Sequence, residues 1–277
     1  MRQHLRAILC LLMALALILS VGAACADDET ASLFASGATA LKDGRPGDAI
    51  ASLEALADRG VVDPVASYDR GLAYATRARI GAEAPGDLGR AAHGFEEARD
   101  LSRDPQLIDD ASLGLSVIRS EVARRRVRAG EPVEVDPGRS LARALAHLLR
   151  EDTWSVIAAV SSAALAVGLF VRGRASARRV RIAGGVGAGI AAPVLALAVA
   201  MTLAARNDRM HLREAVVVAA NARPIDERGI TLPGATPLPE GARVELVEAR
   251  GAWTLVRFGS IEARIASSGL RELARAE

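Results

Sequence analysis

The chain has 277 residues, of which 51% are hydrophobic, 3% aromatic and 25% charged, with two cysteines and four histidines. Its 35 basic residues against 33 acidic ones give a net charge of +2; taking away Arg2 and Arg6 with the first apolar segment leaves 33 of each, so no basic surplus remains for a nucleic-acid face. Both thiols, Cys10 and Cys25, fall in that first segment, which excludes disulfide, thiolate-zinc and thiol-nucleophile chemistry from the rest of the chain.

The apolar surplus is Ala, Val and Leu, concentrated at 7–24, 153–171 and 182–205. Residues 1–26 have the form of a secretion signal: a short basic start (Arg2, His4, Arg6), an apolar run from Ala7 to Val21, and Ala24-Cys25-Ala26, where Ala24 and Ala26 make a signal-peptidase site. A lipoprotein cut before Cys25, with Gly22 where Leu is usual, and an uncleaved anchor are the alternatives. All three export the segment that begins at Asp27.

Residues 27–128 read as an all-α domain with loops at Asp43–Pro46, Arg59–Pro64, Gly81–Asp87 and Arg103–Pro105. Aligning Gly44-x-x-x-x-Ala49 with Gly86-x-x-x-x-Ala91 reveals two copies of one helix-turn-helix unit. Gly37 and Ala40, then Ala49, Leu53 and Leu56, belong to the first; Gly71 and Tyr74, then Ala91, Phe95 and Ala98, belong to the second. The run Gly86-Asp-Leu-Gly-Arg-Ala-Ala-x-x-Phe95-Glu-x-Ala98 resembles the tetratricopeptide pattern. A helix at 106–127 comes next as cap or half-repeat, and an array this short implies that a neighbour covers one end. On repeat geometry Phe34, Lys42, Tyr68, Leu72 and Arg119 would line the concave, partner-binding face, with Phe34 and Tyr68 equally able to be core.

A linker and then a short helix, with Leu141, Leu145, Leu148 and Leu149 on one face, occupy 129–152; the helix reads either as interfacial or as an extension of the following transmembrane helix into solvent. Thr153–Val171 and Ile182–Ala205 carry no charge, and each meets the roughly 20 residues a membrane crossing needs. The connecting loop, 172–181, holds Arg172, Arg174, Arg178, Arg179 and Arg181 and no acid, which assigns it to the cytoplasm. The export signal independently puts both flanks outside. The spacings Ala164/Gly168 and Gly185/Gly189 fit either close helix approach or the chance pattern of an Ala/Gly-rich helix, and a bend is expected at Pro193.

Residues 213–277 switch to short strands, with Val216–Ala219, Arg243–Glu248 and Ala252–Phe258 separated by Pro and Gly turns. Around Gly241-Ala-Arg-Val244 and Gly251-Ala-Trp253 they resemble a small all-β bacterial SH3-like barrel, with Trp253 central. Glu262-Ala-Arg-Ile265 stands where such domains usually continue Gly-Trp-Val, so one aromatic of the usual ligand groove is missing.

The whole order, signal, tetratricopeptide-like repeats, two-helix transmembrane hairpin and SH3-like barrel, is similar to the BatE family of the bacterial aerotolerance operon. The resemblance implies a two-pass inner-membrane protein with both terminal domains periplasmic. It also implies partners among von Willebrand A-type membrane proteins associated with a MoxR-type ATPase, in aerotolerance or envelope stress. Cell-wall sensing, with peptidoglycan as ligand of the barrel, is the alternative. His93, His147 and His211 are isolated, and no metal spacing, nucleophile elbow or phosphate loop occurs, so no enzyme, cofactor or metal is expected.

Overall fold

The computed structural model describes residues 28–131, 151–226 and 228–274. They divide into two compact units: the chain up to Asp136 together with Glu214 onward, and Pro137–Arg213. The signal segment with Ala24 and Ala26, and nearly all of the expected linker and interfacial helix, lie outside the described residues.

Five helices open the first unit: α1 (28–42), α2 (Pro46–Asp58), α3 (Pro64–Arg79), α4 (Asp87–Leu101) and α5 (Pro105–Arg128). Proline stands at the start of α2, α3 and α5, where a missing N–H costs nothing and φ is already helical. Asp63 accepts hydrogen bonds from the Val65 and Ala66 N–H groups at 2.9 Å, and Asp104 accepts from Gln106 at 3.1 Å, so two of those starts are capped. The loops fall at the expected places.

Helices α3 and α4 cross at glycines. A Cβ built on Gly94 would lie 2.6 Å from the Ser67 carbonyl oxygen and 2.7 Å from the Gly71 nitrogen, so the two backbones touch. Gly94→Ala is therefore expected to force the helices apart and destabilise the unit by about 1–3 kcal/mol or more. Gly47→Ala, whose Cβ would meet nothing within 4 Å, serves as the neutral control. Thermal unfolding followed by Trp253 fluorescence in a Trp154→Phe background measures both.

The sheet has five antiparallel strands, β1 (Glu214–Val217), β2 (Arg243–Arg250), β3 (Trp253–Phe258), β4 (Ile261–Ala266) and β5 (Leu270–Glu272), in the order β4-β3-β2-β1-β5. Strand β1 is buried on both faces. Ala215 and Val217 enter the core of the sheet with Val244, Val256 and Ile265, while Val216 enters the helical core beside Leu88, Phe95 and Leu115.

The helical and β segments, read from sequence as separate domains at 27–128 and 213–277, are thus packed into one body, and α4 is its centre. Gly86, at φ 88°, and Gly89 let the chain after β1 come close: a Cβ on Gly89 would lie 2.6 Å from the Val217 carbonyl oxygen. The Gly86–Ala91 turn, which resembles a helix-pair signature, therefore carries a helix-to-sheet contact as well. The Gly89 N–H donates to Glu240 at 2.8 Å, and the Arg126 guanidinium donates to the Pro237 carbonyl at 3.1 Å.

The second unit is a hairpin of α6 (Glu151–Arg174) and α7 (Arg178–His211). Both helices are long and apolar enough to span a membrane, and Val160, Val167, Phe170, Ile190 and Leu203 are exposed along them. Their seam is built of small residues at heptad-like spacing: Ser161 and Gly168 on α6, and Gly184, Ala188, Ala191, Ala198 and Ala205 on α7 are buried. A Cβ on Gly184 would lie 2.8 Å from the Gly168 carbonyl oxygen. The expected pair Gly185/Gly189 is off the seam by one residue, and Ala164 is exposed. Helix α7 continues through Pro193, and only residues 175–177 break the two helices, so the five arginines stand on helix ends.

Candidate functional site

A groove of about 710 Å³ runs between α3 and α5 above α4. Its floor is Phe95, whose ring is wedged between two glycines: a Cβ on Gly71 would lie 3.0 Å from it, and one on Gly114 2.9 Å. Those missing side chains let α3 and α5 close on the ring, which is buried at the base of the groove. Tyr68 and Leu72 form one wall, and Leu113 and Val117 the other. Leu72, Leu113 and Val117 are 37%, 65% and 57% exposed, an apolar strip on a helical face that no described element covers. Tyr68 meets the Phe95 ring at 5.5 Å between centroids, tilted 56°.

The groove is charged at its ends. Asp110 faces Tyr68, and burial, then Asp110 and Asp69, push the Tyr68 hydroxyl above its usual pKa, keeping it a neutral donor. Arg79, Glu121, Arg124 and Arg125 stand at the other end. Arg125 is held by bidentate pairing to Glu83 at 2.6 and 2.8 Å and by Glu121 at 2.9 Å. An apolar trench with an acid at one end and guanidinium groups at the other fits a peptide or helix carrying apolar side chains on one face.

Of the five residues expected to line a groove, Tyr68 and Leu72 do. Phe34 lines a different hollow with Leu56, Val61 and Ala66 and packs against the small core that Leu53 and Leu56 of α2 form with Ala66 of α3. Lys42 is exposed at the end of α1, away from both. Arg119 turns inward, donating to Glu96 at 2.7 Å. Leu113 and Val117 are walls that the repeat pattern does not single out, although their i, i+4 spacing on the face of α5 opposite Leu115 and Ile118 is visible in the sequence.

Helix α4 buries four ionisable groups, Asp87, His93, Glu96 and Glu97. Glu96, 0% exposed, accepts from Arg99, from Arg119 and from Arg243 at 2.8 Å. Glu97 pairs with Arg70 at 2.6 Å and accepts from the Ser67 hydroxyl at 2.6 Å, while Arg77 forks onto Asp87 at 2.8 and 2.6 Å. From β5, Arg271 forks onto Glu54 of α2 at 2.8 and 2.7 Å. These groups bind helix to helix and helix to sheet. Each faces a partner inside the protein.

Trp253 is half-buried on β3, with the Arg250 and Arg264 guanidinium groups 5.7 and 5.3 Å from its ring centre. It presents a ring flanked by cations rather than an open aromatic platform. The five arginines of the hairpin turn, Arg172, Arg174, Arg178, Arg179 and Arg181, are all exposed.

The chain matches no family model, no curated protein and no solved structure.

Proposed function

We propose that this chain is a non-enzymatic membrane-anchored scaffold whose α3–α5 groove docks a segment of a partner protein. The observation that carries this reading is the exposed apolar strip of Leu72, Leu113 and Val117 over Phe95, on a body joined to two span-length helices. Among the described residues its buried charges are paired inside the protein, whereas the groove offers exposed apolar side chains to a partner.

A two-pass topology has support from chain connectivity. Among the described residues, 28–131 and the segment from Glu214 to 274 belong to one folded body, so both lie on the same side of any membrane, and an even number of crossings between them satisfies that requirement. The arginine-rich turn then lies on the other, cytoplasmic side, and the folded body is extracytoplasmic. Paired helices meeting at glycines support a tetratricopeptide-like array, and the strand order β4-β3-β2-β1-β5 with a 3₁₀ turn before β5 supports a small SH3-like barrel. On the BatE-like reading, the partner is a von Willebrand A-type membrane protein of a MoxR-associated complex acting in aerotolerance or envelope stress.

Purification of the full-length chain from its own membranes in mild detergent should bring down such a partner. Leu113→Asp with Val117→Asp should remove it and leave the unfolding midpoint within about 2 °C, since both side chains are exposed. Recovery of no membrane protein, or equal recovery by the double variant, would overturn the scaffold reading.

Peptidoglycan binding through the barrel stands second, on the partial exposure of Trp253. Because β1 and β5 pack on α4, its test uses the intact chain: sedimentation with purified sacculi that Trp253→Ala abolishes would favour it.

A further inference from the structure

The groove over Phe95 has two unlike ends, and its two walls run in the same direction. Tyr68 and Asp110 stand near the starts of α3 and α5, and Arg79 and Arg124 near their ends, where Arg125 of α5 also pairs with Glu83 just past α3. The floor, α4, runs the other way. Arg70 near the start of α3 meets Glu97 near the end of α4, and Arg77 in the last turn of α3 meets Asp87 in the first turn of α4. Helix dipoles favour that alternation, and Asp87 places a full negative charge at a helix N-terminus, where an acid is stabilised.

The last turn of α3 carries a second cation. Arg79 lines the groove, and among the described residues its guanidinium has no hydrogen-bond or ion-pair partner. The other cations at that end are already matched, since Arg124 and Arg125 share Glu121 and Arg125 also holds Glu83. At the opposite end the Asp110 carboxylate and the Tyr68 hydroxyl likewise have no hydrogen-bond or ion-pair partner among the described residues. One cation and one acid therefore face the groove from its two ends.

The walls restrict the form of an occupant. Tyr68 and Leu72 on α3, and Leu113 and Val117 on α5, are pairs at i, i+4, the spacing of ridges that interdigitate with another helix. An extended peptide would turn bare N–H and C=O groups onto these apolar side chains, and the backbone groups of both walls are already bonded within their own helices. A helix brings its backbone already paired. At the helical rise, Tyr68 to Arg79 covers about 16 Å and Asp110 to Arg124 about 21 Å, a length that about three to four turns would fill.

We propose that the groove receives an amphipathic α-helix of a partner protein, antiparallel to α3 and α5, with an acidic side chain in its first turn against Arg79 and a basic one in its last turn against Asp110. The assignment rests on the scaffold reading and adds the chemistry and direction of what docks. Such a helix repeats on the open side of the groove what α4 does beneath it. Its acid and its base sit at the ends of its own dipole that favour them, and the Tyr68 hydroxyl faces the carbonyl groups that a last turn leaves unpaired. A helix running the other way meets the same two charges only with a base in its first turn and an acid in its last, against its own dipole and alongside those of both walls.

The test uses the full-length protein in nanodiscs, with empty nanodiscs as the blank. The probe is a stapled, fluorescein-labelled helix of about four turns with leucines at i, i+3, i+4 and i+7, glutamate in its first turn and lysine in its last. Fluorescence anisotropy should show binding to the wild type and a loss of at least about tenfold in Leu113→Asp with Val117→Asp. R79E should weaken the probe about fivefold, and a probe with lysine replacing the glutamate should bind R79E within about twofold of the original pair. Interrupting the probe with proline should weaken it at least about tenfold. A benzophenone in the first turn should crosslink near Arg79, and one in the last turn near Tyr68.

Equal binding by the Leu113/Val117 double variant, or by the proline-broken probe, would overturn the docked helix. Failure of the lysine probe to recover R79E, or crosslinks in the reverse order, would overturn its charge pattern and direction. A wild-type dimer that the double variant splits would put a second copy in the groove and overturn the partner helix. Partner recovery that depends on Leu113 and Val117, with failure of every probe, overturns the helix alone; recovery of no partner removes the scaffold reading and this proposal with it.

Discussion

Glu96→Gln is expected to destabilise the folded unit by about 3–5 kcal/mol, the cost of removing one partner from a buried ion pair. Glu96 lies at the centre of α4 with 0% exposure, and three guanidinium groups converge on it from three elements: Arg99 from its own helix, Arg119 from α5 and Arg243 from β2. Burial works against the Arg243 charge, but Asp100, Glu214 and Glu96 outweigh it and raise its pKa above that of ordinary arginine, so the group stays charged. A glutamine at 96 keeps the shape and one acceptor but loses the negative charge, and its amide donors face cations. Asp100, 2.7 Å from Arg243, and Glu214 would still serve that residue; Arg119 would lose its 2.7 Å contact with the carboxylate.

For a unit of this size the unfolding midpoint should fall by roughly 6–20 °C. Trp253 fluorescence in a Trp154→Phe background reports it from β3, away from the substitution. A fall under about 2 °C would show that Glu96 is not held as a buried anion. Arg243→Met combined with Glu96→Gln should cost less than the sum of the two single changes, because the Arg243–Glu96 pair is lost in each single variant and only once in the double variant. Strict additivity would deny the coupling between α4 and β2.

The sequence carries the outline of this fold because the outline is local. Pro46, Pro64 and Pro105 open helices, Gly44, Gly60, Gly81 and Gly86 stand in the turns, and uncharged runs mark α6 and α7. The register of the hairpin differs from expectation by one residue, since Gly184 and Gly185 are indistinguishable in composition and only the three-residue turn decides which one meets Gly168. Strands β4 and β5 are not legible as strands: Ile261–Ala266 and Leu270–Glu272 are short, carry charged side chains and acquire their burial from neighbours.

Helix α4 is the least legible element. His93, Glu96 and Glu97 look like a solvated face when only one helical neighbour is considered. What buries them arrives from far along the chain, at Arg243, Glu272 and Ala274. An array as short as the one expected calls for a cover, and in the structure β1 of the chain's own sheet packs on α4. The groove is half legible for a related reason: Tyr68 and Leu72 come from repeat spacing, but Arg119 sits on the same helix as Leu113 and Val117 and is drawn inward by a carboxylate that local pattern does not reveal.

His93 makes stability depend on pH. The Arg70 guanidinium can only donate, and it lies 3.3 Å from Nδ1, so Nδ1 accepts and the ring proton sits on Nε2, which donates to the Glu272 carbonyl at 2.8 Å. Burial at 2% exposure pushes the imidazole down from 6.5 to about 4, with Arg70 acting in the same direction and Glu97 opposing. Between those two values the unfolded chain binds a proton that the folded chain refuses. Stability therefore rises with pH across that window; the contribution of the neutral imidazole is complete above pH 6.5 and disappears as pH falls through about 4.

The shift corresponds to about 3 kcal/mol, so the unfolding midpoint should drop by roughly 6–12 °C on acidification from pH 7 to 4. His93→Gln isolates the effect, because a glutamine can accept from Arg70 and donate to Glu272 as the neutral ring does, without titrating. The variant should lose little at pH 7 and should hold a nearly level midpoint from pH 7 to 5. Below that its midpoint should decline as well, since Glu97, which in the wild type His93, Arg70 and the hydrogen bonds from Ser67 and Ala274 keep below the ordinary carboxylate value against the cost of burial, begins to protonate. If wild type and His93→Gln show parallel profiles across pH 7 to 5, the imidazole is not the titrating group and the α4–β5 contact is insensitive to acid.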